Sequence, residues 1–122
     1  MGRQMHTVLL VEDELLIRIM LANELRAHGF NVVEAQNAEE ALAFLQSHVP
    51  IGLVVADVQL PGSMNGMALA QLIRETEPKL KVVIASGNIS SAPSEDIADA
   101  FFRKPYAPDD VVNCIERLLA TL

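Results

Sequence analysis

Asp57 closes the apolar run Leu53-Val54-Val55-Ala56 and is followed by Val58-Gln59-Leu60-Pro61-Gly62. A carboxylate at the end of a buried strand is costly to desolvate unless a partner meets it there. The chain repeats the device. Val8-Leu9-Leu10-Val11 runs into Glu12-Asp13, Val82-Val83-Ile84-Ala85 into Ser86-Gly87, and Phe101-Phe102-Arg103 into Lys104-Pro105. If these strands are parallel neighbours, three carboxylates, a hydroxyl and an ammonium meet at one edge of a sheet. Such a set could bind a divalent cation and carry a phosphoryl group on an aspartate.

Each group also has a plainer explanation. Glu12 and Asp13 suit the first turn of a helix, where acids are favoured electrostatically. Asp57 could cap the turn that follows it. Lys104 could be a solvated surface lysine, and Ser86-Gly87 an ordinary turn. Taken together the four strand ends favour a site. Clustered carboxylates raise one another's pKa unless a cation neutralises them, and hard oxygen donors favour Mg2+, with Mn2+ as the alternative. Asp57 is the candidate nucleophile, since a carboxylate can attack phosphorus and hold an acyl phosphate. Lys104 is a compact charge on a flexible stem that could reach phosphoryl oxygens, and the Lys104-Pro105 bond is a candidate cis peptide. Ser86 supplies the hydroxyl.

Strand and helix patterns alternate around these residues. Strands are predicted at Thr7–Val11, Asn31–Ala35, Ile51–Ala56, Lys81–Ala85 and Ala100–Arg103. The first helix, Glu14–His28, carries Leu15, Leu16, Ile19, Met20 and Leu25 at helical spacing and stops at Gly29. Asn37 is a predicted N-cap for Ala38–Ser47, with Ala41, Leu42 and Leu45 inward. A third helix spans Met67–Glu77 before Pro78. Pro108 fits N1 of the last, which runs to Thr121 with Val111, Val112, Ile115, Leu118 and Leu119 on its apolar side. Between Asn88 and Ala98 a loop leads to at most a short helix or turn at Ser94–Ala98. Strands separated by helices imply right-handed crossovers and a parallel sheet covered on both faces, with function beyond the carboxyl ends of the strands.

The chain of 122 residues fits one domain, residues 1–122, with an unstructured start expected before His6. Aromatic residues make up 4% and Trp is absent, so the core must be aliphatic. A net charge of −7 argues against direct nucleic-acid binding, and no polybasic patch suggests a membrane surface. The single Cys114 falls in the apolar pattern of the last helix, as a small core residue would. Without a long apolar run or a signal peptide, a reducing, cytoplasmic location is the expectation.

Leu9-Leu10-Val11-Glu12-Asp13, Asp57-Val58-Gln59-Leu60-Pro61 with Gly66, Ser86-Gly87 and Lys104-Pro105 together resemble the signature of response-regulator receiver domains. Each motif is weak alone, but the four in order across nearly the whole chain are specific. The resemblance implies an α/β, flavodoxin-like (CheY-like), doubly wound five-stranded parallel sheet in the order 2-1-3-4-5. It implies that Asp57 accepts a phosphoryl group from a phosphohistidine on a sensor histidine kinase or histidine phosphotransfer protein. The domain would catalyse its own phosphorylation and dephosphorylation without being a conventional turnover enzyme. Asp13, Asp57 and the backbone carbonyl of Gln59 would ligate Mg2+, with Glu12 acting through metal-bound water. Lys104 would pair with the phosphoryl group, Ser86 would move to hydrogen-bond it, and Phe101 would be the aromatic switch, turning inward. Gln59 and Asn88 would tune the lifetime of the phosphoryl group. The output would pass to a downstream protein, or the phosphate would be relayed.

The sequence departs from the family pattern in three places. The segment Pro61-Gly62-Ser63-Met64-Asn65-Gly66 is one residue longer than usual, with Asn65 where Asp is frequent. Ser86 to Lys104 is several residues shorter, so the usual fourth helix is expected to be truncated or replaced by loop. The chain ends soon after the last helix, with no output domain in view. A receiver-like binding module that works without phosphorylation is the main rival. An aspartate-nucleophile phosphatase of another fold would want a second acid where Gln59 stands. A flavin-binding domain would need a phosphate cradle where Glu12-Asp13 would repel it.

Overall fold

The computed structural model describes residues 6–87 and 96–120. Five strands form one sheet: β1 (Thr7–Val11), β2 (Asn31–Ala35), β3 (Leu53–Asp57), β4 (Lys81–Ser86) and β5 (Ala100–Arg103). All four pairings are parallel, and the order is β2-β1-β3-β4-β5. Four helices are described: α1 (Leu15–Ala27), α2 (Ala38–Gln46), α3 (Gly66–Thr76) and α4 (Pro108–Ala120). The flavodoxin-like order expected from the family resemblance is the order found.

Alternation along the strands divides the core into two layers. Leu9, Val11, Val54, Ala56, Val82 and Ile84 point to one face, where Ala38 and Ala41 of α2 and Leu69, Ala70 and Ile73 of α3 cover them. Val8, Leu10, Leu53, Val55 and Val83 point to the other. There α1 contributes Leu21, Ala22 and Leu25, and α4 contributes Val111, Val112, Ile115 and Leu119. Both sides of the sheet are dry, so the strands can be near-continuous runs of Val, Ile, Leu and Ala. Cys114 is buried on α4, and burial pushes its thiol pKa up, as befits a packed side chain.

The helix ends follow local chemistry. Asn37 accepts from the Glu40 amide at 2.7 Å, and Asn65 caps α3 by accepting from the Ala68 amide at 2.8 Å. Gly29, at φ +92°, ends α1 in a conformation that a side chain would resist. Pro108 opens α4 as expected.

The reading of α1 needs correction. Leu15, Leu16, Ile19 and Met20 are exposed, at 57, 75, 40 and 58%, and only Leu25 of the expected stripe is buried. The helix instead packs through Leu21, Ala22 and Leu25, with Arg18 at the start of the same i, i+3, i+4, i+7 row. Two stripes competed, and the weaker-looking one reaches the core, with its apolar part at the helix's second half. Strand β3 begins two residues later than expected and includes Asp57.

Residues 1–5, 88–95 and 121–122 lie outside the described residues, and with them the expectations for the chain start, Asn88 and most of the β4–β5 connection. The described part of that connection, Asp96–Asp99, holds a turn. It is fastened to α3: Arg74 Nη2 donates to the Ile97 carbonyl at 3.1 Å and to Asp99 Oδ2 at 3.2 Å. Asp99 Oδ2 also accepts from the Val82 amide at 2.8 Å. These bonds fix the entry to β5 and hence the register that carries Lys104.

Candidate functional site

The order β1-β3-β4-β5 brings the four strand ends to one edge. Glu12 follows β1 and its amide still donates to Ala35 of β2 at 3.0 Å, which carries the sheet one residue past the strand. Asp57 is the last residue of β3 and lies opposite Ala85, so Ser86 is one step further along β4. The Lys104 amide donates to the Ser86 carbonyl at 2.8 Å, setting the lysine at the same level.

Carboxylate oxygens of Glu12, Asp13 and Asp57 lie within 4.8 Å of one another. Glu12 and Asp57 are buried, at 3% and 6% exposure, whereas Asp13 is exposed. Lys104 Nζ bridges the buried pair, donating to Glu12 Oε1 at 2.8 Å and to Asp57 Oδ2 at 2.9 Å. The second oxygen of each turns back on its own loop. Glu12 Oε2 accepts from the Glu14 amide at 3.1 Å, and Asp57 Oδ1 from the Gln59 amide at 3.1 Å. Asp57 thus caps the turn that follows it, as the plain explanation has it, whereas Glu12 and Asp13 precede the first turn of α1, which begins at Leu15 and contains no acid. The carboxylates of Glu12 and Asp57 both face the Lys104 ammonium.

Burial drives the Glu12 pKa up, with repulsion from Asp57 adding to it, while bonds from Lys104 and the Glu14 amide pull against the rise. Burial alone would lower the Lys104 pKa, but its bonds to Asp57 and Glu12 outweigh that and hold it above the ordinary lysine value. One ammonium offsets one of three clustered acids. The remaining negative charge, on hard oxygen atoms, suits a further cation.

Backbone packing keeps the Asp57 loop in place. Gly66 donates to the Val58 carbonyl at 2.8 Å, and a side chain at Gly66 would run into the backbone carbonyl of Asp57. Gly66 is thus needed because helix α3 starts directly against the strand end. Asn65, in place of the frequent Asp, serves as the cap already described. In the longer loop, Ser63 Oγ donates to Glu39 Oε2 at 2.9 Å, tying it to α2.

The remaining expected residues fall as follows. Ser86 is fully buried at the end of β4. Phe101 is partly buried on β5, packed against the core layer that contains Val82 and Ile84. The bond between Lys104 and Pro105 is cis. Asn88 is outside the described residues.

Three neighbours were not anticipated. Arg18 Nη1 donates to the Glu12 carbonyl at 2.9 Å, and Glu14 Oε1 lies 4.0 Å from Lys104 Nζ. Tyr106 stacks edge-on against Phe102, with ring centroids 6.4 Å apart, and its hydroxyl pKa is pushed up to about 12 by burial and by the nearby carboxylate of Glu12. A cleft of about 410 Å³ opens beside the site, where Ile17, Met20, Tyr106 and Pro108 stand between Glu14 and Lys104. Arg18 was legible only as part of the Leu21-Ala22-Leu25 row, and Tyr106 only by its two-residue distance from Lys104.

The fold and this edge define a class, and sequence comparison agrees with it. Residues 8–116 match the model of the response regulator receiver domain, and the chain belongs to that family. The nitrogen assimilation regulatory protein NtrX of Azorhizobium caulinodans is 34% identical over 122 residues, covering 96% of this chain and 27% of that protein. The sensor kinase CckA of Brucella abortus is 33% identical over 118 residues, covering 93% of this chain and 12% of that one. Such relatives are several times longer than this chain. Among solved structures, NtrX from Brucella abortus in complex with ADP superposes with a TM-score of 0.87 at 36% identity, covering 97% of this chain and 28% of that chain. The response regulator protein TrrA from Thermotoga maritima in complex with Mg(2+)-BeF gives 0.84 at 30% identity, covering 93% and 99%. Receiver domains of this family work in two-component systems with sensor kinases. Among the described residues, no helix is long and apolar enough to cross a membrane.

Proposed function

We propose that this chain is a phosphoacceptor receiver in which Asp57 takes a phosphoryl group from a phosphohistidine of a sensor kinase or phosphotransfer protein. The observation that carries the reading is the Lys104 bridge between the buried carboxylates of Glu12 and Asp57, with Asp13 beside them. An Asp57 carboxylate oxygen attacks phosphorus; the phosphorus–nitrogen bond of the donor breaks, and the imidazole nitrogen keeps the electron pair. Asp13, Asp57 and the Gln59 carbonyl are the residues that would hold Mg2+, with Glu12 behind them. When bound, the ion screens the charge of the incoming phosphoryl oxygens.

The chain's own groups then register the change. Phosphorylation adds about −1.5 to −2 charge at Asp57. Lys104, already between the two acids, pairs with the new oxygens, and Ser86 donates to them from the next strand. Reversing a 1:99 equilibrium takes about 5.5 kcal/mol. Two or three charge-assisted hydrogen bonds of roughly 1.5–3 kcal/mol each reach that order. Phe101 starts half inward, so the switch would be a short rotation of a ring without a hydroxyl.

A protein donor must approach over the rim of the site, where α1 exposes Leu16, Ile19 and Met20, the last of which lines the Lys104 cleft. Those side chains would seat the donor. The reading is tested by intact-mass spectrometry after incubation with acetyl phosphate, with and without Mg2+. One Mg2+-dependent adduct on wild type and none on Asp57→Asn is the expected result. A single stoichiometric adduct that persists in the variant would move the nucleophile elsewhere, and no adduct on wild type would overturn the phosphoacceptor reading.

A further inference from the structure

Arg18 is a charged side chain on the buried row of α1, with 12% of its side chain exposed. Two contacts hold its guanidinium. Nε donates to Glu34 Oε1 on β2 at 3.1 Å, and Nη1 donates to the backbone carbonyl of Glu12 at 2.9 Å. Glu34 is itself fixed from the other side, its Oε2 accepting from Arg26 Nη2 at 3.1 Å. The carbonyl of Glu12 belongs to the peptide that joins Glu12 to Asp13. Its direction sets how that peptide is rolled, and so where the exposed Asp13 carboxylate lies relative to Glu12 and Asp57.

We propose that Arg18 is a positioning residue for divalent-cation binding, holding the Glu12–Asp13 peptide so that three carboxylates converge. The role rests on the Mg2+ reading above and deepens it. Arg18 touches neither the cation nor the phosphoryl group. It acts through a backbone carbonyl, and its own place is set by the Glu34 carboxylate. The planar fork meets its two acceptors with two separate nitrogens, Nε and Nη1, whereas a lysine brings a single nitrogen that would have to reach both places.

Charge and geometry make opposite demands here, and this makes the role testable by sign. A guanidinium beside the acidic edge repels a divalent cation. If Arg18 acted only through its charge, neutralising it would tighten Mg2+ binding. If it positions the peptide, losing the fork weakens binding even when the charge remains.

The experiment is calorimetric titration of Mg2+ into wild type, Arg18→Lys, Arg18→Met and Glu34→Gln, with thermal unfolding of each alongside. Arg18→Lys is expected to bind about tenfold more weakly, the low end of what losing an outer-sphere partner of a metal site costs. Arg18→Met should also weaken binding. Glu34→Gln frees the anchor but also removes a negative charge, so it is titrated at low and at high salt. A smaller loss that persists in high salt, where the charge is screened, is the expected result, and a loss that vanishes there would overturn the positioning role. This variant also decides the matter if the Arg18 variants fail to fold. Folded Arg18→Lys that binds like wild type, Arg18→Met that binds more tightly, or Glu34→Gln without effect would each overturn the positioning role. Wild type that takes up no Mg2+ would overturn the metal reading, and this role with it.

Discussion

The two ends of helix α1 sit at opposite edges of the sheet and handle charge in opposite ways. At its start, by the carboxyl ends of the strands, Glu12 and Asp57 are buried and share Lys104. At its finish, His28 lies between Glu24 and Glu116, at 3.2 Å from each, with all three side chains about one-third exposed. The second cluster is a solvated tie between α1 and α4, of a kind that contributes little to stability. The first is charge taken out of water, tolerable only while its partners stay together. The contrast separates a cluster that fastens two helices at the surface from one that holds buried charge together at the ends of the strands.

The contrast breaks most readily at Lys104. Lys104→Ala leaves two buried carboxylates facing each other, and the expected loss of stability without Mg2+ is about 3 kcal/mol, by analogy with opened buried pairs. Mg2+ should restore more stability to this variant than to wild type, because binding to the folded state alone stabilises it. Urea unfolding in EDTA and in Mg2+ measures both quantities. A variant as stable as wild type in EDTA would make the buried bridge no different in kind from the solvated one. The variant should still accept some phosphate from a small donor while passing the signal on poorly.

Much of the carboxyl edge was legible because its chemistry sits where strands stop. Asp57, Glu12-Asp13, Ser86 and Lys104 each follow an apolar run, and parallel pairing does the rest. The first helix was less legible because Leu15, Leu16, Ile19 and Met20 form a persuasive apolar row, although it faces out. A sequence records hydrophobicity but not which side of a helix the neighbouring strand occupies. Arg18 went unmarked for the matching reason: its partners are the Glu34 carboxylate on β2 and the Glu12 backbone carbonyl, contacts that the spacing of residues along the chain does not show.

The outward row gives the second, smaller test. Met20→Glu places a carboxylate at the mouth of the cleft, and phosphotransfer from a protein donor is expected to slow by about tenfold or more, as for loss of an apolar anchor of roughly 1–2 kcal/mol. Labelling by acetyl phosphate should be unchanged. Equal slowing with both donors, read by phosphorylation time courses, would mean that the substitution had disturbed the site itself.

The smallest effect is expected at the opposite end. The hydrogen bond to Glu116 raises the His28 pKa above its ordinary value, against a smaller opposing effect of burial, with Glu24 adding to the rise. A raised folded-state pKa means the contribution is fully present below about pH 6.5, the unperturbed histidine value. It is lost as pH climbs through the higher folded value. His28→Gln should remove that component, so wild type and variant would differ in unfolding midpoint more at pH 6 than at pH 8. A difference that grows with pH would reverse the assignment.

Tyr106 has an optical consequence. It is the only tyrosine in a chain without tryptophan. Ultraviolet excitation at tyrosine wavelengths therefore addresses one ring, and that ring lines the cleft beside Lys104. Burial and the nearby Glu12 carboxylate push its pKa up to about 12, so the ring absorbs as the neutral phenol around neutral pH. Any shift in the tyrosine fluorescence of this protein is a local signal from one wall of the cleft beside Lys104, readable without a label or an added chromophore.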